Sequence, residues 1–181
     1  MGAKMHLKKP TIYLAGKISK NDWRHEVVPG LRGHVDGGPN NMIPTRDFNY
    51  AGPYFASCDH GCYHTAQSHG AMSKRQKSRA SAKKAVFDRC ELAVKLSDLI
   101  IIYISDKDCH GTLIEVGWVQ ILNKDHVLIF APGMASKKIN DFWFSTMKNP
   151  IDVIYGVEKH DVAKVIKTVI KDYTLNRDCG N

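Results

Sequence analysis

Leu99-Ile100-Ile101-Ile102-Tyr103 is an unbroken apolar run, rich in β-branched residues, that gives way to a polar loop and then to a helical pattern after Gly111-Thr112. A continuous apolar run of this length, rather than an alternating one, reads as a strand buried on both faces of a parallel sheet. In open parallel sheets, ligands bind in the crevice outside the carboxyl ends of the strands. The loop before Gly111 is therefore the first place to look for chemistry. Glu115 falls in the first turn of the predicted helix, which runs from Thr112 to Leu122, and the backbone N–H groups of Gly111 and Thr112 lie close by. A carboxylate there can serve as nucleophile or base, and a helix N-terminus favours its ionised form. A Glu in the first turn is also a common way for a helix simply to start.

The rest of the chain repeats the strand–helix alternation. Thr11 to Ala15, ending at Gly16, reads as the first strand, and a helix is expected from about Trp23 to Arg32. Asn41 to Pro44 suits a short second strand. Ala85, Val86, Cys90, Leu92, Ala93 and Leu96 give an apolar face to a helix from about Ala80 to Leu96. Strands follow at Leu99 to Ile104, His126 to Phe130 and Ile151 to Val157. Asp161 then caps a closing amphipathic helix to Tyr173, with Val162, Val165, Ile166, Val169 and Ile170 on one face. Strands alternating with helices imply a three-layer α/β fold with a parallel sheet of about five strands and right-handed crossovers. The 181 residues form one domain, with no repeat or linker.

Composition narrows the partners. The formal charge of +8 suits an anionic ligand such as a nucleotide, although a lysine-rich soluble surface is the simpler explanation. Basic residues are dispersed apart from Lys74 to Lys84, and no nucleic-acid motif is present, so a nucleic-acid polymer is not expected. No apolar run reaches membrane-spanning length, and the basic stretch from Met1 to Pro10 lacks a hydrophobic signal segment. Five Cys, an odd number without a secretory context, point to a reducing cytoplasm.

Three separated segments carry a resemblance. They are Ile12-Tyr13-Leu14-Ala15-Gly16-Lys17-Ile18-Ser19 with Asp22-Trp23-Arg24 after it, Phe87-Asp88-Arg89-Cys90-Glu91-Leu92 before Ser97-Asp98, and Gly111-Thr112-x-x-Glu115-x-Gly117. In this order they resemble the nucleoside 2-deoxyribosyltransferase family and its relatives that hydrolyse nucleotide N-glycosidic bonds. The resemblance spans about two-thirds of the chain. It implies a flavodoxin-like sheet, a Glu115 nucleophile, and Tyr13 next to that carboxylate. It also implies a homodimer or larger oligomer in which a neighbouring subunit completes the pocket, and no cofactor. Trp118 and Phe142 to Phe144 are the aromatics suited to such an interface. One position departs from the pattern: many relatives have an Asp where Cys90 stands, with Asp88 two places earlier. Two residues apart on a helix do not share a face, so the role of that carboxylate does not transfer cleanly to Asp88.

The chemistry stands without the family. Breaking a sugar–base bond passes through an oxocarbenium-like state, which a carboxylate below the anomeric carbon can stabilise or trap. Attack by a second base then gives transfer, and attack by water gives hydrolysis. Tyr13 on a neighbouring strand can orient Glu115. Around these two, Gly16, Lys17 and Ser19 after the first strand, Asp88 on the helix before the central strand, and Asp106, Asp108, His110, Gly111 and Thr112 before or at the helix, are candidates to bind substrate, with Lys17 and Ser19 placed to meet a 5′-phosphate. Asp98, at the other end of its strand, reads as structural.

Residues 46–73 show no helical period and are crowded with Gly, His, Cys and Tyr. An insert this long without structure of its own tends to be functional. Cys58, His60, Cys62 and His64 alternate, but four ligands from one short extended run surround a single Zn²⁺ poorly. No metal is therefore assigned. A lid that brings Tyr54, Phe55, His60 and His64 over the base suits the composition better. The sequence thus predicts an enzyme acting on the N-glycosidic bond of a nucleoside or nucleotide, most simply by moving 2-deoxyribose to an acceptor nucleobase. Hydrolysis of a 5′-monophosphate is the alternative. From other classes, a non-catalytic nucleotide sensor or a zinc-binding module remains open.

Overall fold

The computed structural model describes residues 8–18, 22–29, 31, 42–53, 80–106, 108–134 and 147–179. Ser19, the Cys58–His64 cluster with His60 and His64, and Phe142 to Phe144 lie outside them. The fold is α/β and broadly Rossmann-like: a six-stranded, mostly parallel sheet flanked by helices. The strands are β1 (Thr11–Gly16), β2 (Ile43–Pro44), β3 (Asn49–Gly52), β4 (Leu99–Ile104), β5 (His126–Phe130) and β6 (Asp152–Ile154). Their order across the sheet is β2-β3-β1-β4-β5-β6. Five strands run parallel, and β2 is an antiparallel addition at the edge, paired with β3.

β1, β4 and β5 are buried along their whole length, which requires cover on both faces and explains their unbroken apolar sequences. The helices are α1 (Arg24–Val27), α2 (Ala80–Leu96), α3 (His110–Ile121) and α4 (Val162–Cys179). They pack as two pairs, α1 with α4 and α2 with α3, and α2 and α3 both lie against β1.

Several elements differ from the sequence expectation. The first helix is a single turn because Pro29 follows it, and Val28, the residue before that proline, leaves the helical region (φ −122°, ψ 87°). The stretch from Arg46 is not without structure at its start: Asn49–Gly52 forms β3, beside β1. The last strand is shorter than Ile151 to Val157, and the last helix runs six residues past Tyr173. Helix α3 begins at His110, two residues early, with Cys109 at its N-cap. Glu115 consequently lies in the second turn, beyond the reach of the N-terminal dipole.

Chain order sets the position of the crevice. From β1 the chain passes to β3 on one side and then to β4 on the other, so the direction of winding reverses between β1 and β4. Their adjacent carboxyl ends, with Gly16 opposite Tyr103, flank the switch point at which such sheets take ligands. Asp98 sits at the opposite edge. Its Oδ2 accepts from the Thr11 N–H at 2.7 Å, and Arg177 of α4 approaches the same oxygen at 3.5 Å. This is the structural role expected of it.

Candidate active site

Tyr13 and Glu115, 102 residues apart in sequence, meet in the interior: the Tyr13 hydroxyl donates to Glu115 Oε1 at 2.5 Å. Two features let them meet. Tyr13 is mid-strand on β1 and fully buried, facing the side where α3 packs. Opposite it, the β1–β3 register slips by one residue: Ile12 pairs with Tyr50, but Tyr13 pairs with Gly52, leaving Ala51 as the extra residue. The slip presents Gly52 to the Tyr13 ring. A Cβ on Gly52 would lie 2.5 Å from Tyr13 Cε2, so only glycine leaves room for the ring.

Burial dominates the electrostatics. It pushes Glu115 up to about 7, against the pull of the Tyr13 hydrogen bond, the Arg24 guanidinium and the Gly16 backbone amide, all of which favour the carboxylate. Burial likewise holds the Tyr13 hydroxyl well above its usual range, with Glu115 and Cys90 adding to the effect. Tyr13 is therefore a protonated donor at any physiological pH. The expectation that a helix N-terminus would keep Glu115 ionised is corrected here, because its position in the second turn removes that influence and desolvation raises the group instead.

Arg24 and Asp22 entered the sequence reading only within the Asp22-Trp23-Arg24 motif and without a role, yet both side chains are completely buried beside this pair. Arg24 Nη1 donates to both Asp22 carboxylate oxygens, at 2.9 and 3.0 Å. Its Nε donates to the Leu14 carbonyl and its Nη2 to the Gly16 carbonyl, each at 2.8 Å. The Trp23 ring lies 4.3 Å from the guanidinium carbon, and a second ring, Tyr103, meets Trp23 edge-on. The only signal in the sequence was an Asp-Trp-Arg triplet just after a strand, where a loop cation ordinarily reads as solvated.

The remaining candidates divide. Lys17 and Asp106, each about half-exposed, form an ion pair of 2.6 Å between the loops after β1 and β4. Asp106 also accepts from the Asp108 N–H at 3.1 Å. Asp108, His110 and Gly111 are exposed at the start of α3, and Thr112 is buried within its first turn. Gly16 ends β1 with φ of +150° and contributes its amide to Glu115. Asp88 is set apart: it pairs with Lys84 on an exposed face of α2, whereas Cys90 is buried and interacts with the Tyr13 hydroxyl. No group of three or more metal-ligating side chains occurs among the described residues. None of their helices is long and apolar enough to cross a membrane. A separate groove of about 630 Å³, lined by Val27, Phe48, Ile170 and Leu175 with Lys167 and Lys171, lies against α1 and α4 and shares no residue with this site. The sequence matches no protein-family model and no curated protein.

What the site offers is a desolvated carboxyl group titrating near neutrality, with one oxygen held by a phenol. Such a group can attack an electrophile, stabilise a nearby cation, or pass a proton in either direction.

Proposed function

We propose that this chain cleaves the N-glycosidic bond of a nucleoside or nucleotide through Glu115, most simply transferring 2-deoxyribose between nucleobases. The observation that carries the proposal is the buried Tyr13–Glu115 hydrogen bond, with the amide of Gly16 at the carboxyl end of β1 on the same carboxylate. Charge build-up explains why that geometry suits this reaction. As the base departs, positive charge develops on the sugar ring, and an ionised carboxylate stabilises it far better in a desolvated site than in water. The sugar's charge in turn favours the ionised form of Glu115 when it is needed. Tyr13 and the Gly16 amide hold the carboxylate in place, and its remaining lone pairs serve the anomeric carbon. The parallel strands, ordered β3-β1-β4-β5-β6, follow the flavodoxin-like order that the resemblance implies, which lends it further support.

The Lys17–Asp106 pair favours a nucleoside over a monophosphate, because Asp106 neutralises Lys17 and its carboxylate repels a phosphate there. On this reading, Asp106→Asn raises kcat/KM for monophosphates relative to nucleosides, and adding Lys17→Ala cancels the gain. The protein works in the cytoplasm as a homodimer or larger oligomer and needs no cofactor. Incubation with a panel of nucleosides and 5′-monophosphates, with and without free bases, tests the proposal by chromatography. Base exchange supports transfer and base release alone supports hydrolysis. Untouched substrates across the panel, or a folded Glu115→Gln variant with undiminished turnover, refute it.

A further inference from the structure

An ion pair as buried as Asp22–Arg24 is costly to desolvate, and apolar side chains of similar volume generally serve a core at least as well. Its location gives it a use. Pairing between β1 and β3 ends at Tyr13, so Leu14 and Gly16 run on past the last paired residue on that side. The Arg24 guanidinium takes both of their carbonyls, and Asp22 neutralises and orients it through both carboxylate oxygens. The Asp22 carboxylate also accepts from the Arg24 backbone N–H at 3.0 Å, tying the clamp to the first turn of α1.

We propose that the Asp22–Arg24 pair is the positioning element of the Glu115 site: it fixes the end of β1, aims the Gly16 N–H at the Glu115 carboxylate, and sets a cation behind it. The inference rests on Glu115 being the working carboxylate. Arg24 acts through β1 and through its field, so it is a positioning residue and not a catalytic one. The groups facing Glu115 are Tyr13 and the Gly16 amide from β1, Tyr50 from β3, Cys109 from the loop before α3, and Arg24 from α1, itself paired with Asp22 of the loop before α1, with Cys90 of α2 acting through Tyr13. Burial keeps both tyrosines and Cys109 neutral. Arg24 carries the positive charge: burial pushes its guanidinium down, but Asp22, with Tyr50 and Glu115, holds it above its ordinary value.

A merely structural role predicts the opposite sign. Loosening this region admits water and drops Glu115 toward the ordinary carboxyl range, whereas loss of a facing cation and of the Gly16 contact raises it further. The test is carboxyl-carbon NMR titration of protein labelled at its four glutamates, with the Glu115 signal assigned by its absence in Glu115→Gln. In Arg24→Met the Glu115 midpoint rises by about one pH unit or more, a tenfold gain in proton affinity. An unchanged or lower midpoint overturns the proposal. Where the methionine variant does not fold, Arg24→Lys replaces it. Lysine keeps the charge but cannot span both carbonyls and Asp22, so the midpoint rises by less, and no rise or a fall overturns the proposal. The titration needs no substrate. Inactivity toward the nucleoside panel with the midpoint raised removes the glycosidic reading and leaves the clamp standing, and the converse pair of results does the reverse.

Discussion

Because burial raises Glu115 to about 7 from an ordinary 4.5, the folded protein holds a proton that the unfolded chain releases anywhere between those values. The sign follows directly. The associated stability is present in full below about 4.5, is lost as pH climbs through about 7, and changes no further above that. Between about pH 5 and pH 8 the loss is about 2 to 3 kcal/mol. Glu115→Gln, uncharged throughout, escapes it. Denaturant unfolding at the two pH values should therefore show the variant gaining on the parent by about that amount at the higher pH. Catalysis runs the other way, since the nucleophile is the ionised form. The kcat/KM profile should rise about tenfold per pH unit below about 7 and then level off. Tyr13→Phe removes a hydrogen bond that favours the carboxylate, so it shifts this limb upward while lowering the plateau, and an unmoved limb would separate Tyr13 from Glu115 function. The sequence carried both residues because each sits in a local pattern, a buried strand and a Gly-Thr-x-x-Glu helix start. It carried Asp22 and Arg24 only as part of a motif with no role assigned, because their burial comes from tertiary contacts to the Leu14 and Gly16 carbonyls and to each other.

At the scale of elements, the strongest apolar runs were readable to the residue: β4 and β5, and the amphipathic α2, have the expected bounds. Two of the differences, β3 and the end of α4, share one physical cause. β3 is Asn-Tyr-Ala-Gly, four residues with no β-branched side chain, and only its place against β1 makes it a strand. The last turns of α4 lie past the apolar stripe that ends at Tyr173, and Arg177 in them is tied by tertiary contact to Asp98 at the base of the sheet. Tertiary pairing, invisible to local periodicity, decided both. The slip in β3 also gives this element a test. Gly52→Ala puts a Cβ into the Tyr13 ring, and both lie in a packed sheet with little room to yield. The expected cost is about 1 to 3 kcal/mol of stability. A larger loss of turnover than of folded protein should accompany it, since the displaced ring leaves Glu115 without its donor. Full turnover in a folded Gly52→Ala protein would mean that the close approach of Gly52 to Tyr13 has no part in orienting Glu115.

For the whole molecule, the outer surface of the α2–α3 pair is where a second copy should dock. On α3, Ile114, Trp118 and Ile121 recur at spacings of four and three residues, which sets them on one stripe of the helix. Ile121 is 83% exposed and Ile114 47% exposed. From α2, Phe87 is 45% exposed and meets the half-buried Trp118 edge-on at 4.9 Å. Trp118 is thus neither a pure core residue nor a free surface one. Its ring supports an aromatic that itself faces solvent, the kind of side chain that is enriched in interfaces. The stripe shares a helix with Glu115, so a copy docked there sits within one element of the site, consistent with a pocket completed by a neighbour. A two-fold pairing of α2–α3 with itself buries the same stripe on both copies and closes the assembly at two. Light scattering at micromolar concentration should therefore give about twice the 20.3 kDa chain mass. Ile121→Asp with Phe87→Glu should return it to the single-chain value, because two buried like charges face their symmetry mates. Turnover should fall with the dimer. A parent protein that is monomeric and fully active would refute the assembly, and dimers that survive both substitutions would move the interface elsewhere.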